Sequence, residues 1–219
     1  YYHNSHVEIH WIDSEMINEA NYQEKLKDLD GIIIPGGFGD RGIEGMILAC
    51  KYARENNLPY FGICLGMQIT VIEYARNVLG LNEADSREFN ENAKDKVIDY
   101  MPGQNDDIDK GGTLRLGAYP CILKENSMIK KYYGINNISE RHRHRYEFNN
   151  DYRDVFEKNG LVLSGISPDG RLVETVELSD KPFFIGVQFH PEFKSRPNRA
   201  HPLFVGFIEA ALKYSMGGK

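Results

Sequence analysis

Nowhere in these 219 residues do about 18 apolar side chains run together, so no transmembrane helix and no membrane partner is expected. The opening Tyr1-Tyr2-His3-Asn4-Ser5-His6 lacks the basic start and apolar run of a secretory signal. Cysteine is scarce: Cys50, Cys64 and Cys121 are the three, none in a C-x-x-C. They cannot all pair, which argues against a disulfide framework or a structural zinc site and for a cytoplasmic chain with a working thiol. Positive charge is also in deficit, with 26 Lys and Arg against 32 Asp and Glu, a formal net charge of −6. Such a balance suits neither nucleic acid nor an anionic membrane surface. No repeat or low-complexity tract appears, so residues 1–219 read as one domain with one sizeable core.

What is present alternates between strand and helix signals. Val7–Ile12 alternates in the manner of a strand, and a helical stretch follows near Tyr22–Leu29. Gly31–Pro35 and Pro59–Ile63 are short unbroken apolar runs, the pattern of buried parallel strands. Between them Ile43–Asn57 carries Ile43, Met46, Ile47, Cys50 and Ala53 on one helical stripe, and Leu65–Val78 is a second apolar helix. This order predicts an α/β domain with a central, mostly parallel sheet flanked by helices. The strand–helix unit that would open such a domain is missing, which implies a start upstream of Tyr1. Asn90–Gly112 is polar and reads as a surface loop. Strands are expected at Leu116–Leu123, Ile138–Tyr146, Leu161–Ser167, Leu172–Glu177 and Phe183–Phe189, and helices at Asp151–Lys158 and Pro202–Tyr214.

The sharpest local signal is Gly62-Ile63-Cys64-Leu65-Gly66, set between a buried strand and an apolar helix. It is the strand–nucleophile–helix turn in cysteine form, with small residues where the turn is tight and strain expected at Cys64. A helix N-terminus would give the thiol thiolate character. Alone, the motif fits a buried structural cysteine equally well. A nucleophile needs a base, and the base an orienting group. Gln188-Phe189-His190-Pro191-Glu192 follows the apolar strand, and Pro191 disfavours helix at His190. In an extended chain residues two apart share a face, so His190 and Glu192 can meet. Pro35-Gly36-Gly37-Phe38-Gly39 offers backbone for close approach, and its spacing is not that of a phosphate loop.

Cys64, the His190-Pro191-Glu192 segment and the upstream Pro-Gly-Gly loop together resemble a class I glutamine amidotransferase. Gly36–Gly42, Gly62–Gln68, Gly111-Gly112-Thr113-Leu114-Arg115-Leu116-Gly117, Arg141-His142-Arg143-His144-Arg145-Tyr146-Glu147 and Val187–Phe193 are similar to the amidotransferase domains of the CTP synthases, over roughly Val7 to Tyr214. The resemblance implies the flavodoxin-like fold of that class and hydrolysis of L-glutamine through a γ-glutamyl thioester on Cys64. In it His190 moves the proton, Glu192 orients His190, and the amides of Gly37 and Leu65 hold the oxyanion. Phe38, Gln68, Glu88 and Arg145 would meet the glutamine, a carboxylate for its ammonium and a guanidinium for its carboxylate. It further implies that ammonia passes to a synthetase domain, covalently linked in the full-length protein, that aminates UTP to CTP with ATP and Mg²⁺. The full-length protein would be a homo-tetramer with GTP as activator, and Arg41, Glu44 and the Gly111–Gly117 segment would lie near that effector. These residues contain no G-x-x-x-x-G-K-[ST], so the chain alone is not expected to make CTP.

The remaining candidates have plainer readings. His142 and His144 would share one strand face and the three arginines of Arg141–Arg145 the other, poor evidence for a metal or for RNA. Cys50 and Cys121 read as core, Asp169 and Glu174 as turn or solvent-face charges, and His201-Pro202 as a helix start. Two rivals stay open: another amidotransferase subfamily or γ-glutamyl peptidase on the same fold, and a non-catalytic module that keeps it.

Overall fold

The computed structural model describes residues 2–100 and 114–217, and within them two sheets carry the architecture. The short helix α1 (Tyr22–Leu26) precedes β1 (Ile32–Ile34), α2 (Ile43–Glu55), β2 (Tyr60–Ile63) and α3 (Leu65–Asn77). Next come β3 (Ala84–Ser86), β4 (Asp95–Tyr100), β5 (Arg115–Leu123), α4 (Met128–Tyr133), β6 (Asn137–His144) and β7 (Tyr146–Phe148). The chain ends with α5 (Arg153–Lys158), β8 (Val162–Ile166), β9 (Val173–Glu177), β10 (Phe184–Val187) and α6 (Pro202–Ser215).

The main sheet runs β1-β2-β10-β9-β8-β5-β6, and β3-β4-β7 form a small second sheet. The α/β architecture matches the sequence reading, but the main sheet is mixed rather than mostly parallel. Only β1–β2 and β2–β10 pair in parallel; β10–β9, β9–β8, β8–β5 and β5–β6 are antiparallel. The cause lies in the connections. A parallel neighbour requires a long crossover, and α2 supplies one between β1 and β2. From β8 to β10 there is no helix: a tight turn at Ser167–Arg171 and a short loop from Leu178 reverse the chain.

At the centre, β2 and β10 are buried on both faces, as their unbroken apolar runs require. α3 lies over this centre and is buried at every position from Leu65 to Ala75, packed on β2, β10 and α2 and against the small sheet. On α2 the predicted stripe faces the core: Ile43, Ile47, Cys50 and Ala53 are buried and Met46 is half-buried.

Two segments depart from the sequence reading. Val7–Ile12 forms no strand and is exposed, Trp11 to 89%. Alternation stabilises a strand only where a neighbour completes the hydrogen bonds, and no described residue pairs with this segment. Within the polar stretch from Asn90, Asp95–Tyr100 is the central strand of the small sheet, with Val97 and Ile98 buried. Side-chain bonds substitute for apolar content there: Arg87 to Asp99 at 3.0 Å, Tyr152 Oη to Asp95 at 3.1 Å, and Asn149 Nδ2 to the Lys96 carbonyl at 2.7 Å. Residues 101–112 of that predicted loop lie outside the described residues, as do 111–113 of the Gly111–Gly117 segment, whose Arg115-Leu116-Gly117 opens β5.

Candidate active site

Cys64 stands where β2 ends and α3 begins, with φ 51° and ψ −100°, a left-sided backbone that costs a non-glycine residue about 1–3 kcal/mol. The glycines two before and two after it are required by contact distance. A Cβ on Gly62 would sit 2.5 Å from the Gly66 carbonyl, and one on Gly66 would sit 2.3 Å from the Ile34 carbonyl oxygen. The tight elbow predicted from the G-x-C-x-G spacing is therefore present. The Cys64 N–H donates to the Val187 carbonyl at 2.7 Å, which ties the elbow to β10.

His190 follows β10 and so reaches the same sheet end as Cys64. Its backbone N–H donates to the Arg141 carbonyl at 2.8 Å. Its Nδ1 lies 2.6 Å from Glu192 Oε1, while its buried Nε2 has no hydrogen-bond partner among the described residues. The expected contact is present by a different route: Pro191–Lys194 is a short 3₁₀ turn, not an extended segment. Proline fits the first turn of a helix because its missing N–H has no partner there anyway. A single point beside Gly36, where a Cβ would be, lies 2.6 Å from His190 Cε1 and 3.5 Å from Cys64 Cβ. Thiol and imidazole thus flank the glycine loop that follows β1. A Cβ on Gly37 would lie 3.0 Å from the Leu65 side chain, so the two expected oxyanion residues are neighbours.

The electrostatics correct one expectation. Burial pushes the Cys64 thiol up to about 12; the Leu65 backbone pulls it down, and Glu192, Glu147 and Glu88 raise it further. Desolvation outweighs the helix end, so the resting sulfur is a thiol rather than a thiolate.

Comparison with known proteins then decides the family. The sequence model of the glutamine amidotransferase class-I family matches residues 2–210. The chain belongs to this family. Among curated relatives, the CTP synthases of Ruminiclostridium cellulolyticum and Staphylococcus aureus are each 59% identical over 208 residues, which is 95% of this chain. The chain spans 39% of the length of those relatives. A solved structure, the Trypanosoma brucei CTPS glutaminase domain with bound acivicin, superposes with a TM-score of 0.88 at 41% identity. That likeness covers 95% of this chain and 82% of the other. A putative GMP synthase component from Thermoplasma acidophilum shares the fold, with a TM-score of 0.56 at 19% identity over 94% of this chain and 79% of that one.

Around the elbow of this amidotransferase domain the other predicted residues fall into two groups. Phe38 and Glu88 adjoin: Glu88 Oε1 accepts the Gly39 N–H at 3.1 Å. Burial raises the Glu88 carboxyl while the Gly39 N–H and Arg145 lower it, so Arg145 belongs to the same cluster. The Arg143 guanidinium lies 5.9 Å from the centre of the exposed Phe38 ring. Gln68 is buried, and its Nε2 donates to the Tyr146 carbonyl at 3.2 Å and to Gln188 Oε1 at 3.4 Å. Its amide N–H groups are thereby both engaged. Arg41 and Glu44 form a separate, exposed group, paired with Glu15 at 2.5 Å and Arg76 at 2.9 Å respectively.

On β6 the predicted faces hold for His142 and His144, which are buried, and for Arg141 and Arg143, which are exposed, whereas Arg145 lies past the strand end and is half-buried. The two histidines bond each other, Nδ1 of His142 to Nε2 of His144 at 2.8 Å. Behind them sits a cluster that sequence reasoning missed. Arg115 grips Glu174 at 2.6 and 2.9 Å and reaches Glu147 at 3.4 Å. Glu174 is fully buried, contrary to its reading as a turn or solvent-face charge; Asp169 does sit in a turn, bonded to Ser167 and Arg171. Cys50 and Cys121 are core, and His201 caps α6 as expected, accepting the Leu203 N–H.

Proposed function

We propose that this domain hydrolyses L-glutamine to glutamate and ammonia on Cys64. The observation that carries the reading is the pairing of a strained cysteine elbow with an imidazole whose Nδ1 is held by a carboxylate at 2.6 Å and whose Nε2 is otherwise unpartnered among the described residues. Glu192 accepts Nδ1–H, which fixes the tautomer and leaves Nε2 basic. Because the resting sulfur is a protonated thiol, the proton passes from Sγ to His190 Nε2 as Sγ attacks the side-chain carboxamide carbon. The N–H groups of Gly37 and Leu65 hold the oxyanion. As the tetrahedral adduct collapses the C–N bond breaks, and His190 returns the proton to the departing ammonia. Water, deprotonated by the same nitrogen, then attacks the thioester carbonyl; the C–S bond breaks, glutamate leaves, and His190 returns the proton to the departing sulfur. Glu88 and Gln68 Oε1 are suited to the ammonium of the substrate and Arg145 to its carboxylate.

The likeness to CTP synthases extends the reading. In the longer protein the ammonia would serve amination of UTP to CTP by a synthetase portion using ATP and Mg²⁺. GTP would act as activator near Arg41 and Glu44. The test is ammonia release together with labelling of Cys64 by acivicin, the molecule bound in the trypanosomal relative. Cys64→Ala should lower hydrolysis at least about 10⁴-fold and abolish labelling. Retained labelling or activity would overturn the assignment. Where the isolated domain is silent, activity restored by a separately supplied synthetase portion distinguishes a dormant enzyme from a non-catalytic module.

A further inference from the structure

Resting on that reading of Cys64, we infer that Gln188 is a positioning residue for the nucleophile, its buried carboxamide N–H donated to the sulfur and locked in that sense by Gln68. The register places it. β2 and β10 pair Ile63 with Val187, so Cys64 and Gln188 are each one residue past that pair at the same sheet end. Gln188 is fully buried, its backbone N–H donates to the Glu174 carbonyl at 2.8 Å, and its Nε2 lies 3.7 Å from Cys64 Sγ.

Which end of an amide faces a neighbour must be argued from its partners. Gln68 supplies the argument. Its donor meets the Tyr146 carbonyl, which can only accept, so the NH₂ end of Gln68 is fixed. That same NH₂ meets Gln188 at 3.4 Å, so the facing atom of Gln188 is its oxygen. The nitrogen of Gln188 is thereby turned to the sulfur. The chain from the Tyr146 carbonyl through Gln68 and Gln188 to Sγ is oriented throughout by one backbone oxygen.

The consequence is chemical. An N–H donor stabilises a thiolate far more than a thiol, because charge-assisted bonds are the stronger. In a site where burial opposes ionisation, this donor favours the sulfur anion formed as His190 takes its proton. The role acts through Cys64 and needs no contact with substrate.

The experiment is alkylation of Cys64 in the folded domain, read by mass on the Cys64 peptide, with iodoacetamide and with the smaller methyl methanethiosulfonate across pH 7–9. Gln188→Met keeps the bulk and removes the donor. It should slow both reagents by the same factor, about tenfold, the equivalent of one unit in thiol pKa. Gln68→Met, which leaves the Gln188 amide free to turn, should slow them about threefold. Alkylation of Gln188→Met at the wild-type rate would overturn the proposal. So would slowing confined to the bulkier reagent, the mark of a blocked pocket. Should Gln188→Met fail to fold, Gln188→Leu serves: it too removes the donor and should slow both reagents alike, and an unchanged rate overturns the proposal equally. Because the readout is the sulfur itself, a wild-type domain that stays inert toward glutamine even with the synthetase portion supplied would sink the glutaminase reading and leave this result interpretable.

Discussion

The two halves of the main sheet differ in what accompanies their apolar core: the antiparallel half adds buried charged and polar side chains that the parallel half lacks. The parallel half, β1-β2-β10, has an interior of Ile32, Ile34, Phe61, Ile63, Phe184, Ile185 and Val187, with Cys64 and His190 just beyond its strand ends. The antiparallel half, β9-β8-β5-β6, buries Glu174, Glu177, Arg115, Glu140, His142 and His144. An apolar interior gives a rigid platform that asks nothing of its neighbours electrostatically, so the reactive groups at its edge can be tuned separately. A polar interior must be paired group by group. Glu177 accepts the N–H groups of Met128 and Ile129 at the start of α4, and Glu174 is held by the two terminal nitrogens of Arg115. Under the proposed function this is a division of labour: one half would present the chemistry, and the other backs it with buried ion pairs.

The sharpest way to break this contrast is to unpair the polar half. Arg115→Met leaves Glu174 and Glu147 buried without their cation, and should cost about 3–5 kcal/mol in denaturant unfolding. Adding Glu174→Met should recover part of that loss, since replacing both partners is far cheaper than removing one. A cost below about 1 kcal/mol for the single variant would mean that the cluster is not a paired unit, and the contrast would fail.

The same contrast sets what was legible in the sequence. The elbow could be read because its constraints are local: Gly62 collides with backbone four residues away, and Gly66 with the adjoining strand. The parallel strands could be read because burial on both faces leaves an unbroken apolar run. Glu174 could not, because its partner Arg115 is 59 residues distant and a lone acid beside a turn looks solvated. Gln188 stands in plain view two residues before His190, yet its partner Cys64 lies 124 residues away. The Val7–Ile12 error is the same failure in reverse, a pattern with no described strand to complete it.

A second prediction sharpens the platform half. Glu192→Gln keeps the shape at His190 but replaces an acceptor-only group with one that can donate to Nδ1, which would leave Nε2 protonated and unable to take the thiol proton. It should lower kcat for glutamine hydrolysis about a hundredfold, with KM and melting temperature little changed. The expectation of an intact fold follows from exposure: the Glu192 side chain is 44% exposed and bears on His190 rather than on the core. A large loss of stability would place Glu192 with the structural acids of the other half.

The finest test uses pH on the polar half alone. Burial, reinforced by Arg115, holds His144 down at about 3, against about 6.5 in an unfolded chain. Between these values the unfolded chain binds a proton that the folded one refuses, so stability falls as pH drops through that window. Glu147 and Glu174 work in the other direction: burial raises both, so above the ordinary carboxylate range the folded state keeps protons that the unfolded chain has released. The net slope of the wild type mixes the two signs, and only a difference separates them. Between pH 7 and pH 5 His144 should account for about 2 kcal/mol of lost stability. His144→Gln, whatever its offset, should therefore show a flatter acid limb than wild type in chemical denaturation at matched pH. Equal slopes would mean that the folded state accepts a proton on His144 without penalty. A cluster that admits an extra charge so freely could not be the rigid backing that the apolar half relies on.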